Sequence, residues 1–447
     1  MDGVVHSGRV NEVLGIHPWR IAARALLVGL VSGVLAILFR ALMEACLDLA
    51  RRIAPLLRED WRVTAAWVVA AGLAVAALTV LLRWEPDAGG SGIPQVKGVI
   101  QGRLGLRPLR VLVVRFLAGA LAGVFGLSLG REGPSIHIGA SGGKLVASSM
   151  RADEVTTDYL VTAGGAAGLA AAFSAPLSGL FFALEGLHRS FSRPVMLAAA
   201  AGAFLAGGLA SAVFGLTPIL AFSTLQPLPI GDYPWMVAIG VVSGLTGVAM
   251  TRGLLGFQDL YARVPVPARL GVALGIAIVV QMTVPDLLGG GENLIALAQR
   301  AGTGLGVLAL LWVGKALFTM TSFSSGVPGG IFMPILTVGA LSGAVGAGLL
   351  ARADLLPAGA VPVAAVAAMA GALAGSVKSP LTAIMLTVEM VGNVQHILPV
   401  ALCAFTALGV ADLVGSPDIY GALLRRRIAA AHHGVTATRV ARPGHGA

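Results

Sequence analysis

Long apolar stretches set the organisation of this chain. They run near 21–46, 63–82, 111–129, 196–214, 235–255, 270–284 and 305–318, and again near 331–351, 361–374 and 397–414. An α-helix rises about 1.5 Å per residue, so about 20 apolar residues span a bilayer core. The long stretches therefore read as membrane helices. Shorter apolar pieces lie between them, near 93–101, 135–148, 161–173, 176–187, 294–301, 381–391 and 419–429. Gly and Pro interrupt the chain around these pieces, and several are too short to cross. Half-length helices of this kind mark binding sites at mid-membrane depth, where irregular backbone is tolerated only around a cavity.

Composition agrees. Of 447 residues, 56% are hydrophobic and 12% charged, with a mean hydropathy of +0.87. That excludes a soluble domain and points to a multi-pass protein in a lipid bilayer. The expected domain covers about 21–427, in two halves of about 21–220 and 230–427. A short segment, 1–20, precedes it, and a basic tail, 428–447, expected to be disordered, follows. The formal net charge is +10, but it is dispersed. Arg51-Arg52, Arg107, Arg110 and Arg425-Arg426-Arg427 flank apolar segments, as the positive-inside rule requires, and no basic patch suits a nucleic acid. Arg9, Arg20 and Arg24 with the Arg425–Arg427 run place both termini in the cytoplasm. Cys46 and Cys403 read as core residues, and no metal set or cofactor motif is present.

Two internal echoes recur at an offset of about 200 residues, the mark of a duplicated architecture. Gly130, Pro134, Gly139 and Ala140 (GREGPSIHIGA) match Gly330, Pro334, Gly339 and Ala340 (GIFMPILTVGA). Ala170, Pro176, Leu177 and Glu185 match Ala374, Pro380, Leu381 and Glu389. The first echo sets Phe332 opposite Glu132, so the two helix mouths should face one site.

Three glycine turns lead into helices: Gly90-Ser91-Gly92-Ile93-Pro94, Gly130-Arg131-Glu132-Gly133-Pro134, and Gly329-Gly330-Ile331-Phe332-Met333-Pro334. Pro fits the first helical turn because its missing N–H is not needed there. The free N–H groups of such turns, with the helix dipole, bind anions. Partial charges hold a desolvated anion weakly enough for it to leave, where a full cation would trap it. Glu132 is then a tethered anion at an anion site, and an ionisable group at membrane depth is a functional candidate by default. Arg131 is its obvious structural partner.

These turns, together with Tyr420 in Gly415-Ser416-Pro417-Asp418-Ile419-Tyr420, resemble the CLC family of chloride channels and chloride/proton antiporters over about 23–427. The resemblance implies an all-α fold of two inverted repeats with tilted and re-entrant helices. It also implies a homodimer with one pore per subunit, chloride and protons as cargo, and a bacterial inner membrane. Ser91 and Tyr420 resemble the hydroxyls of the central chloride site. Ile331 and Phe332 resemble its backbone N–H donors. Glu132 resembles the gating glutamate. Gly92, Ile93, Pro94, Arg131, Gly133, Gly330 and Met333 fall at the helix mouths lining the pore. Members with Ser at the Ser91 position prefer chloride, and those with Pro prefer nitrate.

One position departs from the family. Antiporters usually carry an inner proton glutamate where this chain has Gly186, and Glu185 is rotated from it by about 100° on a helix. Lys97 likewise replaces an acid found in some bacterial members. The main expectation is therefore anion transport with proton coupling open, and the alternative is stoichiometric chloride/proton exchange by another proton route. Glu185 and Glu389 read as helix-capping or packing groups. His137 reads as a core residue, and His188, His396, His432 and His433 as surface or loop residues. An intramembrane serine protease built on Ser141 (Gly139-Ala140-Ser141-Gly142) is the remote alternative, since no well-placed base accompanies it. Asp412, in a late apolar run, has no sequence explanation.

Overall fold

The computed structural model describes residues 18–220, 227–300 and 303–440. The segment expected before residue 18 lies outside them. Seventeen α-helices carry the described residues. In the first half these are α1 (Pro18–Glu59), α2 (Trp61–Trp84), α3 (Ile93–Ile100), α4 (Pro108–Val124), α5 (Glu132–Ser149), α6 (Glu154–Phe173), α7 (Pro176–Phe182) and α8 (Arg193–Phe214). The second half repeats the series: α9 (Tyr233–Ala262), α10 (Val266–Thr283), α11 (Glu292–Ala298), α12 (Leu305–Ser324), α13 (Phe332–Arg352), α14 (Val361–Val377), α15 (Pro380–Val391) and α16 (Ile397–Leu413). A last helix, α17 (Ile419–Val440), follows. Eight helices thus answer eight, as the echoes required. α17 corrects one expectation: the tail is helical through Val440, its Arg/Ala-rich start being strongly helix-forming. Residues 441–447 lie outside the described residues.

Nine helices among the described residues are long and apolar enough to cross a membrane. α5 and α6 are not among them, although both are full-length. They run at the centre of the protein, with Ser135, His137, Ser141 and Thr162 wholly buried, so they need not be apolar enough for lipid. The expected short piece at 161–173 is the apolar end of α6. The polar first turns of that helix are capped by Asp153, which accepts the Thr156 N–H at 2.8 Å.

α5 and α6 cross at backbone contact. A Cβ on Gly139 or Gly164 would strike the carbonyl of the other, and one on Gly168 would strike that of Ser135. Small residues permit this approach, which replaces the missing hydrophobic drive between membrane helices. α13 and α14 repeat the crossing: a Cβ on Gly339 would lie 2.6 Å from the Ala368 carbonyl.

The halves are also joined by two reciprocal caps. Glu389 of α15 accepts the Leu177 N–H (2.9 Å) and Ser178 N–H (2.7 Å) of α7, together with the Ser178 hydroxyl. Glu185, beyond α7, accepts the Leu381 N–H (3.2 Å), Thr382 N–H (2.9 Å) and Thr382 hydroxyl (2.8 Å) of α15. Each carboxylate thus satisfies the orphan donors of the other half's short helix. Charge-assisted bonds of this kind contribute about 1.5–3 kcal/mol. Glu185→Gln and Glu389→Gln should therefore lower the unfolding temperature of the detergent-solubilised protein by similar amounts. An unchanged temperature for either would show that the caps are not structural.

Candidate functional site

The two central turns meet directly. The Gly130 N–H donates to the Gly330 carbonyl (2.8 Å) and the Gly330 N–H to the Gly130 carbonyl (2.7 Å), an antiparallel bridge with local two-fold symmetry. This is the arrangement expected of inverted halves, and it brings the N-termini of α5 and α13 together. The third turn joins them: the Gly90 N–H donates to the Gly326 carbonyl and the Gly329 N–H to the Gly90 carbonyl, both at 3.1 Å. Gly92, at φ +93°, closes that turn ahead of Ile93 and Pro94 of α3. A Cβ on Gly133 would lie 2.6 Å from both the Ser91 carbonyl and hydroxyl oxygens, and 3.2 Å from Gly330 Cα. The glycines are needed because three backbones share one small volume.

Glu132 opens α5 and is 1% exposed. Its carboxylate faces its own N–H and that of Met333 in the first turn of α13. Oε2 lies beside Gly130 and Gly330 with no hydrogen-bond partner among the described residues. The carboxylate therefore sits where the N-termini of α5 and α13 meet. Arg131 is not its partner in a salt bridge. It pairs instead with Glu44 of α1 (2.8 Å) and Glu292 of α11 (3.2 Å), which leaves Glu132 without a bonded cation.

Ser91 and Tyr420 are both buried, at 2% exposure each, and neither hydroxyl has a geometric hydrogen-bond partner among the described residues. The two hydroxyls lie within electrostatic reach of each other. Phe332 opens α13 after Ile331, where first-turn N–H groups have no intrahelical acceptor. Its ring stacks on Tyr420, with centroids 6.1 Å apart and planes 13° from parallel. On another side it meets Phe182 edge-on at 5.4 Å. A cavity of about 280 Å³ reaches Glu132, Met333 and Gly290, and one of about 530 Å³ reaches Gly90, Ser91 and Pro94. The two share no lining residue.

The mouth residues expected from the sequence lie at these three turns, whereas Gly186, expected as the substituted inner proton position, lies outside them. That position sits in a wide five-residue turn (Ala183–Leu187) extending α7, where the His188 N–H reaches back to the Ala183 carbonyl (2.9 Å). A Cβ on Gly186 would lie 2.6 Å from the Phe182 ring. The space beside this glycine is filled by the aromatic group that supports Phe332.

Other assignments resolve as well. Ser141 donates to the backbone carbonyl of His137 (2.8 Å) and faces no base, so it is a helix hydroxyl. Asp412 pairs with Lys378 at 2.6 Å. His396, read as a surface or loop residue, lies in the connection leading into α16 but is buried at 1% exposure, which corrects the surface part of that reading. Sequence reasoning missed Phe182, Glu44 and Glu292. It also missed two buried cations, Arg115 and Lys315, although both lie in the middle of apolar helices and recur at the repeat offset.

Comparisons with known proteins agree with this geometry. A family model described as "Voltage gated chloride channel" matches residues 71–412. The H(+)/Cl(-) exchange transporter ClcA of Citrobacter koseri is 33% identical, over 92% of this chain and 89% of its own. ClcA of Vibrio cholerae is 31% identical, over 92% and 90%. Among solved structures, a slow cyanobacterial Cl-/H+ antiporter matches with a TM-score of 0.85 and 31% identity, covering 93% of this chain and 99% of its own. A CLC-type fluoride/proton antiporter, 23% identical with a TM-score of 0.74, shares the fold. A match spanning most of the chain, in a fold of two inverted halves, makes this protein a member of the voltage-gated chloride channel (CLC) family, whose members are transporters and not enzymes.

Proposed function

We propose that this protein exchanges chloride for protons across a bacterial inner membrane, with Glu132 as both gate and proton carrier. One observation carries the reading. Three buried polar atoms have no hydrogen-bond partner among the described residues: Ser91 Oγ, whose residue lines one cavity, Glu132 Oε2, whose residue lines the other, and Tyr420 Oη, whose ring stacks on Phe332. Buried polar atoms are ordinarily bonded, and unpartnered ones call for an explanation. A dehydrated chloride supplies one. It accepts from the Ser91 and Tyr420 hydroxyls and from the Ile331 and Phe332 N–H groups, then moves toward the position Glu132 now fills.

Glu132 and chloride compete for the same helix-terminal N–H groups. When ionised, the carboxylate holds the position and blocks passage. When protonated, it loses its attraction to the dipoles and swings out, so chloride enters while the proton crosses. Flux therefore rises as pH falls. The relatives named as chloride/proton exchangers favour exchange over uncoupled conduction, the reading that Gly186 alone would suggest. With Gly186 packed against Phe182 and Glu185 committed to capping α15, the inner proton station is water rather than a fixed carboxylate. Both termini then face the cytoplasm, with the Ser91 cavity on that side, and the protein works as a homodimer with one pore per subunit.

The direct test is the reversal potential of reconstituted protein under a chloride gradient and then a proton gradient. Exchange requires the potential to move with the proton gradient. A potential fixed at the chloride equilibrium value, whatever the pH, would contradict it. In liposomes, Glu132→Gln should abolish both the pH dependence of chloride flux and proton movement while chloride still passes. Wild-type pH dependence in that variant would overturn the gate assignment.

A further inference from the structure

Arg115 in α4 and Lys315 in α12 are wholly buried, and among the described residues neither forms a salt bridge with a carboxylate. Other buried charged groups are paired, Arg131 with Glu44 and Glu292, Lys97 with Asp418 at 3.0 Å and Glu85 with Arg107 at 2.9 Å, whereas Glu132 is not. Leaving two full charges unpaired at membrane depth is costly unless something else balances them.

The two cations occupy equivalent places in the two halves. Arg115 donates to the Gly90 carbonyl (2.6 Å), and its other nitrogens lie 3.0 and 3.3 Å from Nδ1 of His137. Lys315 donates to the carbonyls of Gly289 (2.6 Å) and Leu287 (2.8 Å). Each turn then ends in a left-handed glycine, Gly92 at φ +93° and Gly291 at φ +99°. A Cβ on Gly92 would strike Arg115 Nη2 (2.7 Å) and His137 Cβ (2.7 Å). One on Gly291 would strike Thr337 Cγ2 (2.7 Å) and Lys315 Cε (2.9 Å). Arg115 with Lys315, and His137 with Thr337, recur at the same offset of about 200 residues. The turn, its glycine and the cation behind it are therefore one unit, used twice.

The peptide bond gives this unit a direction. In a trans peptide the carbonyl and the following N–H point opposite ways. Arg115, by holding the Gly90 carbonyl, turns the Ser91 N–H away from itself. Lys315, by holding the Gly289 carbonyl, turns the Gly290 N–H away likewise. Neither N–H makes a backbone hydrogen bond among the described residues. Ser91 lines one cavity and Gly290 the other.

We propose that Arg115 and Lys315 are paired positioning residues, one for each cavity, that draw the transported halide inward by charge acting through the peptide each one holds. This rests on the anion-transport reading. Neither cation touches the anion, so neither traps it. With Glu132 ionised, the two cations leave one positive charge for a halide to balance; with Glu132 neutral they leave two. The unit thus favours a second anion at the moment the gate opens.

Chloride binding to the Glu132→Gln protein, measured by calorimetry, tests this. Arg115→Gln and Lys315→Gln keep a donor for the carbonyl but lose the charge. Each should weaken chloride binding by about tenfold or more, as expected for a unit charge acting at close range in a partly screened interior. Arg115→Lys and Lys315→Arg should stay within about threefold of the parent. Parent-like affinity in the Gln variants would overturn the proposal, whereas a parent that binds no chloride would overturn the transport reading itself. If the Gln variants do not fold, Lys315→His supplies a titratable charge: chloride affinity must then rise as pH falls, and a flat profile matching the Glu132→Gln parent would refute the role.

Discussion

An anion stripped of water inside an apolar chain needs positive potential that does not bind it irreversibly. Backbone N–H groups at broken helices supply it, and the rest of the architecture keeps those groups free. The bridge between Gly130 and Gly330 is the central constraint. It uses one N–H and one carbonyl from each turn and leaves the first turns of α5 and α13 pointing into a shared volume. A side chain at Gly330 would press on the Gly133 nitrogen (2.9 Å) and the Gly130 carbonyl (3.1 Å) of the other mouth, and one at Gly130 would displace the Glu132 carboxylate. The Gly–Gly crossing of α5 on α6, and its counterpart of α13 on α14, then fix the direction in which each mouth points.

Duplication explains why the arrangement closes on itself. Two halves related by an approximate two-fold axis present like elements to each other at the axis: glycine turn to glycine turn, and carboxylate cap to short helix. The caps by Glu185 and Glu389 show how the symmetry satisfies backbone groups that lipid cannot. Departures from symmetry carry the chemistry. Glu132 opens one mouth and Phe332 the other, so an ionisable group stands at one helix start and a ring at its counterpart. Tyr420 arrives from α17, which lies outside the repeat, and its ring stacks on Phe332 to complete the aromatic side of the site.

Much of this was legible in the residues. The echo at Gly130 and Gly330 anticipated that two helix mouths would meet, and the Gly-Pro turns located the starts of α3, α5 and α13. Hydropathy failed at α5 and α6 for a physical reason: both are buried in protein rather than lipid, so serine, histidine and glycine are tolerated there. The partners of Arg131 were not legible, because Glu44 and Glu292 lie far from it in sequence and nothing in their surroundings marks them. Arg115 and Lys315 could have been found, as cations in the middle of apolar helices at repeat-related positions. The packing of Phe182 beside Gly186 appears only in three dimensions, since it depends on the wide turn that extends α7.

The account stands on where the halide sits. Crystals of the protein grown in bromide would place it by anomalous scattering. One peak is expected between the Ser91 and Tyr420 hydroxyls in the native protein. In Glu132→Gln a second should appear where the carboxylate now lies, between the mouths of α5 and α13. Bromide absent from the Ser91–Tyr420 position, or found only against Arg131, would contradict an anion pathway built from helix dipoles.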